Sequence, residues 1–235
     1  PGPAICFFVT SFGYAAMVLA LRQLRLDPAA VKQVKLRMLS EIREGWTYVL
    51  RNRVFLVLIG MTFLNSLLGL SYVYLLPIFS KDILHVGSSG YGLLMTVSGV
   101  GAVCGTIAVA SVSNRGHRGK ILIAGSFVFG ALLAAFGFSE SYTFSLSVLA
   151  LAGFFNSLYM TNVVTLLQTQ VPDALRGRVM GIYSLTWSLM PIGGMQSGLL
   201  AGVIGAPLAV AVGGFGILTF AIVVAVFSRQ VRQLS

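Results

Sequence analysis

The sequence predicts an all-α polytopic membrane protein with seven transmembrane helices. Three observations carry that prediction. Of the 235 residues, 57% are apolar and only 9% carry charge, whereas ordinary globular domains are about 45–50% apolar and about 25% charged. The apolar residues gather in seven uncharged runs, each long enough for a bilayer core that takes roughly 20 residues of helix. The charged residues fall almost wholly between those runs.

The runs are 4–21, 54–80, 89–113, 121–138, 142–170, 179–204 and 207–228. A chain in lipid must satisfy its backbone polar groups internally, which leaves helices and closed barrels. Barrel strands alternate polar and apolar residues over about ten positions; these runs do not alternate, so each reads as a helix. Pro77, near one end of the second run, is expected to terminate it. Pro191, beside Gly193 and Gly194, is expected to kink the sixth near its middle.

The first connector, 22–53, is long and basic. Asp27-Pro28 reads as a helix start, a capping side chain followed by proline at the first helical position. Val31, Val34, Met38, Ile42, Trp46 and Val49 then recur at steps of three and four, while Lys32, Lys35, Arg37 and Arg43 fall elsewhere. That pattern is an amphipathic helix lying on a membrane surface or on the protein's own cytoplasmic face. It reads first as a tether between two halves, and second as a partner- or lipid-binding element.

The other connectors are short, and their charge alternates by side. Fifteen of the sixteen Lys and Arg lie in 22–53, 114–120, 172–178 and 229–235; only Lys81 lies in the opposite set. The positive-inside rule puts the first set in the cytoplasm, with Pro1 outside and the C-terminus inside. The net charge of +10 is thus an orientation signal and not a nucleic-acid footprint. A start at Pro1-Gly2-Pro3 and an odd helix count are expected of the C-terminal part of a longer protein. The parts are then 1–21, the last helix of an N-terminal bundle; 22–53, the linker; 54–228, a six-helix block; and 229–235, a cytoplasmic tail.

Several segments carry a family likeness. Leu39-Ser-Glu-Ile-Arg-Glu-Gly45-Trp-Thr-Tyr-Val-Leu-Arg-Asn-Arg53, running into a hydrophobic span, resembles the segment before the seventh helix of major facilitator superfamily exporters. The nearest subgroup is the transmembrane secretion effectors, which include enterobactin-exporter and macrolide-efflux type proteins. Val171-Pro-Asp-Ala-Leu-Arg176-Gly-Arg178-Val-Met-Gly181 resembles their loop between helices ten and eleven. Gly105 to Lys120, with Asn114, Arg115 and Arg118, resembles a second copy of the superfamily's basic loop, with Asn114 where Asp is usual and His117 where Gly is usual. The resemblance implies that 54–228 is one major-facilitator-type bundle of two inverted three-helix repeats, with sites near the midplane. It also implies a partner bundle, the N-terminal six-helix half, and a gating role for Asn114, Arg115, Arg118, Arg176 and Arg178.

In such a bundle the first and fourth helices of the block line the cavity, and the sequence supports this independently. Thr62, Asn65, Ser66, Gly69 and Tyr72 form one polar stripe on the 54–80 helix. Asn156 sits near the centre of 142–170, followed by Asn162, Thr165 and Thr169 in one row and Thr161 and Gln168 in another. Intramembrane amides need partners or water, so these residues read either as cavity lining or as helix–helix glue. Tyr183 and Trp187, one turn apart, offer aromatic surface to a hydrophobic substrate or simply pack. Gly194, Gly198 and Gly202, like Gly101 and Gly105, repeat every four residues and read as close helix-packing positions.

The spans contain no Asp, Glu, Lys, Arg or His. His85 and His117 are in loops, so any proton coupling is expected to use a titrating group outside this segment. Cys6 and Cys104 lie in different spans with no metal-ligand spacing, and Gly87-Ser-Ser-Gly90-Tyr-Gly92 lacks the Lys-Ser/Thr of a phosphate loop. No nucleophile, base or metal constellation supports catalysis, so no enzyme, cofactor or metal site is expected. The expected function is part of a secondary active transporter: an efflux permease moving a small amphipathic molecule (siderophore, drug or metabolite) across a bacterial inner membrane. The alternatives are a non-transporting scaffold or receptor on the same fold, or a lipid flippase.

Overall fold

The computed structural model describes residues 3–23, 38–111 and 118–232. Asn114, Arg115, His117 and the expected helix start at Asp27-Pro28 lie outside the described residues. The chain divides into two compact units, 1–40 and 41–235. The first contains α1 (Pro3–Gln23), 21 residues long and therefore about 32 Å at 1.5 Å per residue. Every described element of both units is helical.

The second unit takes in most of α2 (Met38–Arg51) and runs from there into the bundle. Val49 is buried, whereas Trp46, which its spacing puts on the same apolar face, is half exposed. Asn52 ends α2 and caps the next helix, its side-chain oxygen accepting from the Val54 N–H at 3.1 Å. Tyr48 stacks on Phe55 across that corner, centroids 5.5 Å apart.

The first long rod, Arg53–Ile83, covers 31 residues but is not uniform. It comprises α3 (Arg53–Leu64), a π-helical turn (Asn65–Gly69), α4 (Tyr72–Ile78) and a second π turn (Phe79–Ile83). The switch to five-residue spacing shows in Leu70 N–H to Asn65 O and Leu84 N–H to Phe79 O, each 2.8 Å. Pro77 does not terminate the rod as its sequence context suggests. Proline costs one backbone donor, and the chain continues past it through the second π turn, with the Ser80 hydroxyl donating to Pro77 O at 2.9 Å. The rod therefore carries Lys81 and Asp82 beyond the expected end at 80.

The helices α5 (Gly87–Ser111), α6 (Arg118–Gly137), α7 (Tyr142–Gln170) and α10 (Ala206–Phe227) follow the expected runs within about three residues. With Arg53–Ile83 they make five helices long and apolar enough to cross a membrane. Small residues set their spacing. Gly101 and Gly105 of α5 leave room only for the carbonyls of Ala150 and Phe154 on α7, and Gly153 answers with the carbonyl of Ser98. The core between helices is apolar and aromatic; Phe79 stacks on Phe136 at 4.6 Å.

The run 179–204 is not one helix. It divides into α8 (Asp173–Trp187) and α9 (Met190–Ile204), 15 residues each. The break falls at Ser188–Leu189, just ahead of Pro191, which sits in the first turn of α9 where a missing N–H is least costly. The Gly193 N–H then donates to Leu189 O at 3.0 Å, restarting the ladder. The expected mid-span distortion is thus a two-residue break at which the backbone stays right-handed, with φ −66° at Ser188 and −85° at Leu189. The described chain closes with α11 (Arg229–Arg232).

Candidate functional site

The polar stripe of the first rod faces inward. Thr62, Asn65, Ser66 and Tyr72 are all buried, none more than 6% exposed. The Thr62 hydroxyl donates to Ile59 O at 2.8 Å, and the Tyr72 and Ser98 hydroxyls share a bond of 3.3 Å between the rod and α5. Asn65 differs: among the described residues neither its amide nitrogen nor its amide oxygen has a hydrogen-bond partner, and the Ser66 hydroxyl has none either. The Asn65 oxygen lies against Gly69, with Ile217 of α10 and Phe129 of α6 beside it. An unpaired buried polar group costs about 1–3 kcal/mol. Two such residues open the first π turn, a backbone form that recurs at functional sites.

On α7 the predicted residues divide between two faces. Asn156 is half-buried, with its side-chain oxygen unpartnered. Thr165 follows nine residues later, which at 3.6 residues per turn puts it on the opposite side. Asn162 and Thr165, with Thr161, look into a cleft of about 570 Å³ between the end of α5, the start of α6 and the middle of α7. Arg118 and Thr106 join them there, over Val109, Ile121 and Leu158. Asn162 donates its amide N–H to Leu158 O at 2.8 Å, and Thr165 donates to Thr161 O at 2.8 Å. Thr106 and Ser157 bridge α5 and α7 at 2.7 Å. Gln168 is exposed beyond the cleft.

A third surface surrounds the break in 179–204. Tyr183 and Trp187, in the last turns of α8, meet edge to face with centroids 6.5 Å apart, and Trp187 stays 40% exposed. At the other end of α8, Arg176 pairs with Asp173 at 2.6 Å and Arg178 with Glu44 of α2 at 2.7 Å. Gly45 is buried beneath that pair, its α-carbon facing Arg178 and Ile182. On α9, Gly194 packs on the Tyr74 ring, whereas Gly198 and Gly202 meet no described atom within 4 Å of a built Cβ. Pro191 is exposed.

The predicted residues therefore do not share one pocket. Asn162, Thr165 and Arg118 converge on the cleft; Thr62, Asn65, Ser66 and Tyr72 lie inside the bundle; Tyr183 and Trp187 border the break. Sequence reasoning passed over Ser98, Thr106 and Glu44. Glu44 had a legible signal, since it is an acid on a basic connector. Ser98 and Thr106 had none, because single hydroxyls on apolar helices acquire meaning only from the neighbouring helix.

Comparison with known proteins agrees with this architecture. The family model described as transmembrane secretion effector matches residues 1–234. The staphyloferrin A transporter of Staphylococcus aureus is 24% identical over 174 residues, 72% of this chain and 44% of that protein. The enterobactin exporter EntS of Citrobacter koseri is 26% identical over 154 residues, 63% of this chain and 36% of that protein. The chain spans less than half the length of either relative. A family match over nearly every residue, joined to five long apolar helices, makes this a multi-pass integral membrane protein. The chain belongs to the transmembrane secretion effector family of major facilitator superfamily transporters.

Proposed function

We propose that the chain is the C-terminal portion of a secondary active transporter, an efflux permease that moves a small amphipathic molecule by alternating access. The observation that carries this reading is the family match over 1–234; the likeness to a staphyloferrin A transporter and an enterobactin exporter supports a siderophore-class substrate. In this reading α1 is the last helix of an N-terminal bundle, the linker is 22–53, and the rod Arg53–Ile83, α5, α6, α7, α8 with α9 as one broken span, and α10 form six spans in two inverted three-helix repeats. The basic connectors face the cytoplasm of a bacterial inner membrane, because fifteen of sixteen cationic residues fall in alternate connectors of the sequence.

Apart from Arg118 at the edge of the cleft, the groups that these spans offer to a substrate are neutral. Asn65, Ser66 and Asn156 supply unpaired polar atoms, Tyr183 and Trp187 supply aromatic surface, and the cleft at Asn162 and Thr165 adds a polar patch. The break between α8 and α9 is a natural point for a helix to bend as access alternates. Proton coupling, where it operates, falls to an acid in the N-terminal half.

The test is accumulation of labelled enterobactin and staphyloferrin A in cells expressing the full-length protein. Lower retention than in cells lacking it, restored when Asn65 and Asn156 are both changed to Ala, supports the reading. Equal retention in all three strains for both probes and for a lipophilic dye favours the scaffold alternative. Pathway-independent scrambling of labelled lipid in proteoliposomes favours a flippase.

A further inference from the structure

The basic end of the bundle holds more positive charge than its own acids answer. Among acids there whose side chains are described, Asp173 pairs with Arg176 and Glu44 with Arg178. Arg53 and Arg229 make no ion pair among the described residues, and both stand at the mouth of a groove of about 620 Å³ between α3 and α10. Ser228 and Gln230 share that mouth, while the groove below is walled by Leu56, Val57, Phe220, Val223 and Phe227. Phe227 is 83% exposed and Val223 44%, so the wall is open to the side. A second groove on the other flank of α10 repeats the arrangement, with Lys120 and Arg232 above Ile123, Phe127 and Ile222.

Two guanidiniums with no ion pair among the described residues, a hydroxyl and an amide set above an apolar trough match one chemistry: a phosphodiester headgroup with an acyl chain beneath it. The groove opens sideways and its walls are wholly apolar, so a free anion would leave the trough unfilled. We infer that the α3–α10 groove binds an anionic phospholipid, its phosphate held between Arg53 and Arg229 and one acyl chain lying along Val57, Phe220 and Val223. Basic residues near an anionic leaflet each add about 1 kcal/mol of attraction, and guanidinium grips phosphate in a planar fork. That the leaflet is the cytoplasmic one rests on the orientation proposed above. The site lies apart from the cleft at Asn162 and from the Tyr183–Trp187 surface, so it holds a lipid ligand and not the transported molecule.

The experiment uses the full-length protein in nanodiscs with a photoactivatable phosphatidylglycerol, and with the matching phosphatidylcholine probe in parallel. Label is expected on peptides containing 53–57 and 220–230. It should fall about thirtyfold in the double variant Arg53→Gln/Arg229→Gln and persist in Arg53→Lys/Arg229→Lys. Val223→Trp, at an exposed wall position, fills the trough with both arginines intact and should also remove the label, which keeps the test decisive if the charge variant does not fold. Unchanged labelling in both the charge and trough variants overturns the inference, as does equal labelling by the phosphatidylcholine probe. Displacement by millimolar inorganic phosphate marks a free-anion site and overturns it too. The readout does not depend on transport, so its failure is separable from failure of the transporter reading.

Discussion

Arg178, in the second turn of α8, pairs with Glu44 of α2 at 2.7 Å, and Gly45 lies directly beneath the contact. The segment preceding the first rod is thereby held against the helix that breaks at Ser188–Leu189. The pair itself is partly solvated, with the Glu44 side chain 60% exposed and Arg178 28%, so Glu44→Gln should cost less than about 1 kcal/mol. Gly45→Leu should cost more, about 1–3 kcal/mol, because a Cβ there already sits 3.0 Å from the Arg178 side chain. Thermal unfolding of the detergent-solubilised full-length protein ranks the two; the reverse order would mean that charge, not packing, holds α2 in place.

Asn65 separates stability from function. Its amide is buried and unpartnered among the described residues, so Asn65→Leu, which keeps the branching at the cost of two bulkier methyl groups, removes a desolvation cost of about 1–3 kcal/mol. Unfolding should be unchanged or shifted upward in temperature. Transport should nevertheless fall about tenfold, as expected when a polar group is retained for its use in another state or with substrate. A variant that is both less stable and equally active would assign Asn65 to helix–helix bonding.

The α5–α7 crossing predicts a sharp contrast between neighbouring glycines. At Gly101 a side chain runs into the Ala150 carbonyl, whereas at Gly99 nothing lies within 4 Å. Gly101→Val should destabilise by about 1–3 kcal/mol, and Gly99→Ala should be neutral or mildly stabilising through helix propensity. The check is the unfolding midpoint of each variant, read side by side.

How much of this was legible in the sequence depends on whether one helix carried the information. The long rods were legible because uncharged length alone defines them, and the run 142–170 matches α7 (Tyr142–Gln170) at both ends. The break in 179–204 was half legible: Pro191 announced a distortion, but its placement in the first turn of α9 turned a kink into two helices. The passage through Pro77 was hidden, because a π turn is a response to packing and leaves no composition signature. For the candidate site, the stripe at Thr62, Asn65, Ser66 and Tyr72 was legible as a periodicity. Which way it faced was not, since a polar stripe looks the same whether it meets a cavity or Phe129 and Ile217. The repeat of Gly194, Gly198 and Gly202 reads as uniform in sequence, yet only Gly194 finds a partner among the described residues.

The aromatic pair gives a binding prediction. Tyr183 and Trp187 are arranged edge to face beside the break, and Trp187→Ala should raise the KM for transport about two- to tenfold, the range of one aromatic contact of about 0.5–1.5 kcal/mol. Trp187→Phe should recover most of that loss. A change confined to the maximal rate would place the pair in the gating motion and not in substrate contact.

The central claim is that neutral side chains in this bundle serve transport by the whole protein. Everted membrane vesicles containing the full-length protein test it most directly, with uptake of a labelled siderophore measured under an imposed pH gradient. The account predicts accumulation that falls about tenfold in Asn65→Leu/Asn156→Leu vesicles holding the same amount of folded protein. Accumulation at the unmodified rate in those vesicles would contradict it.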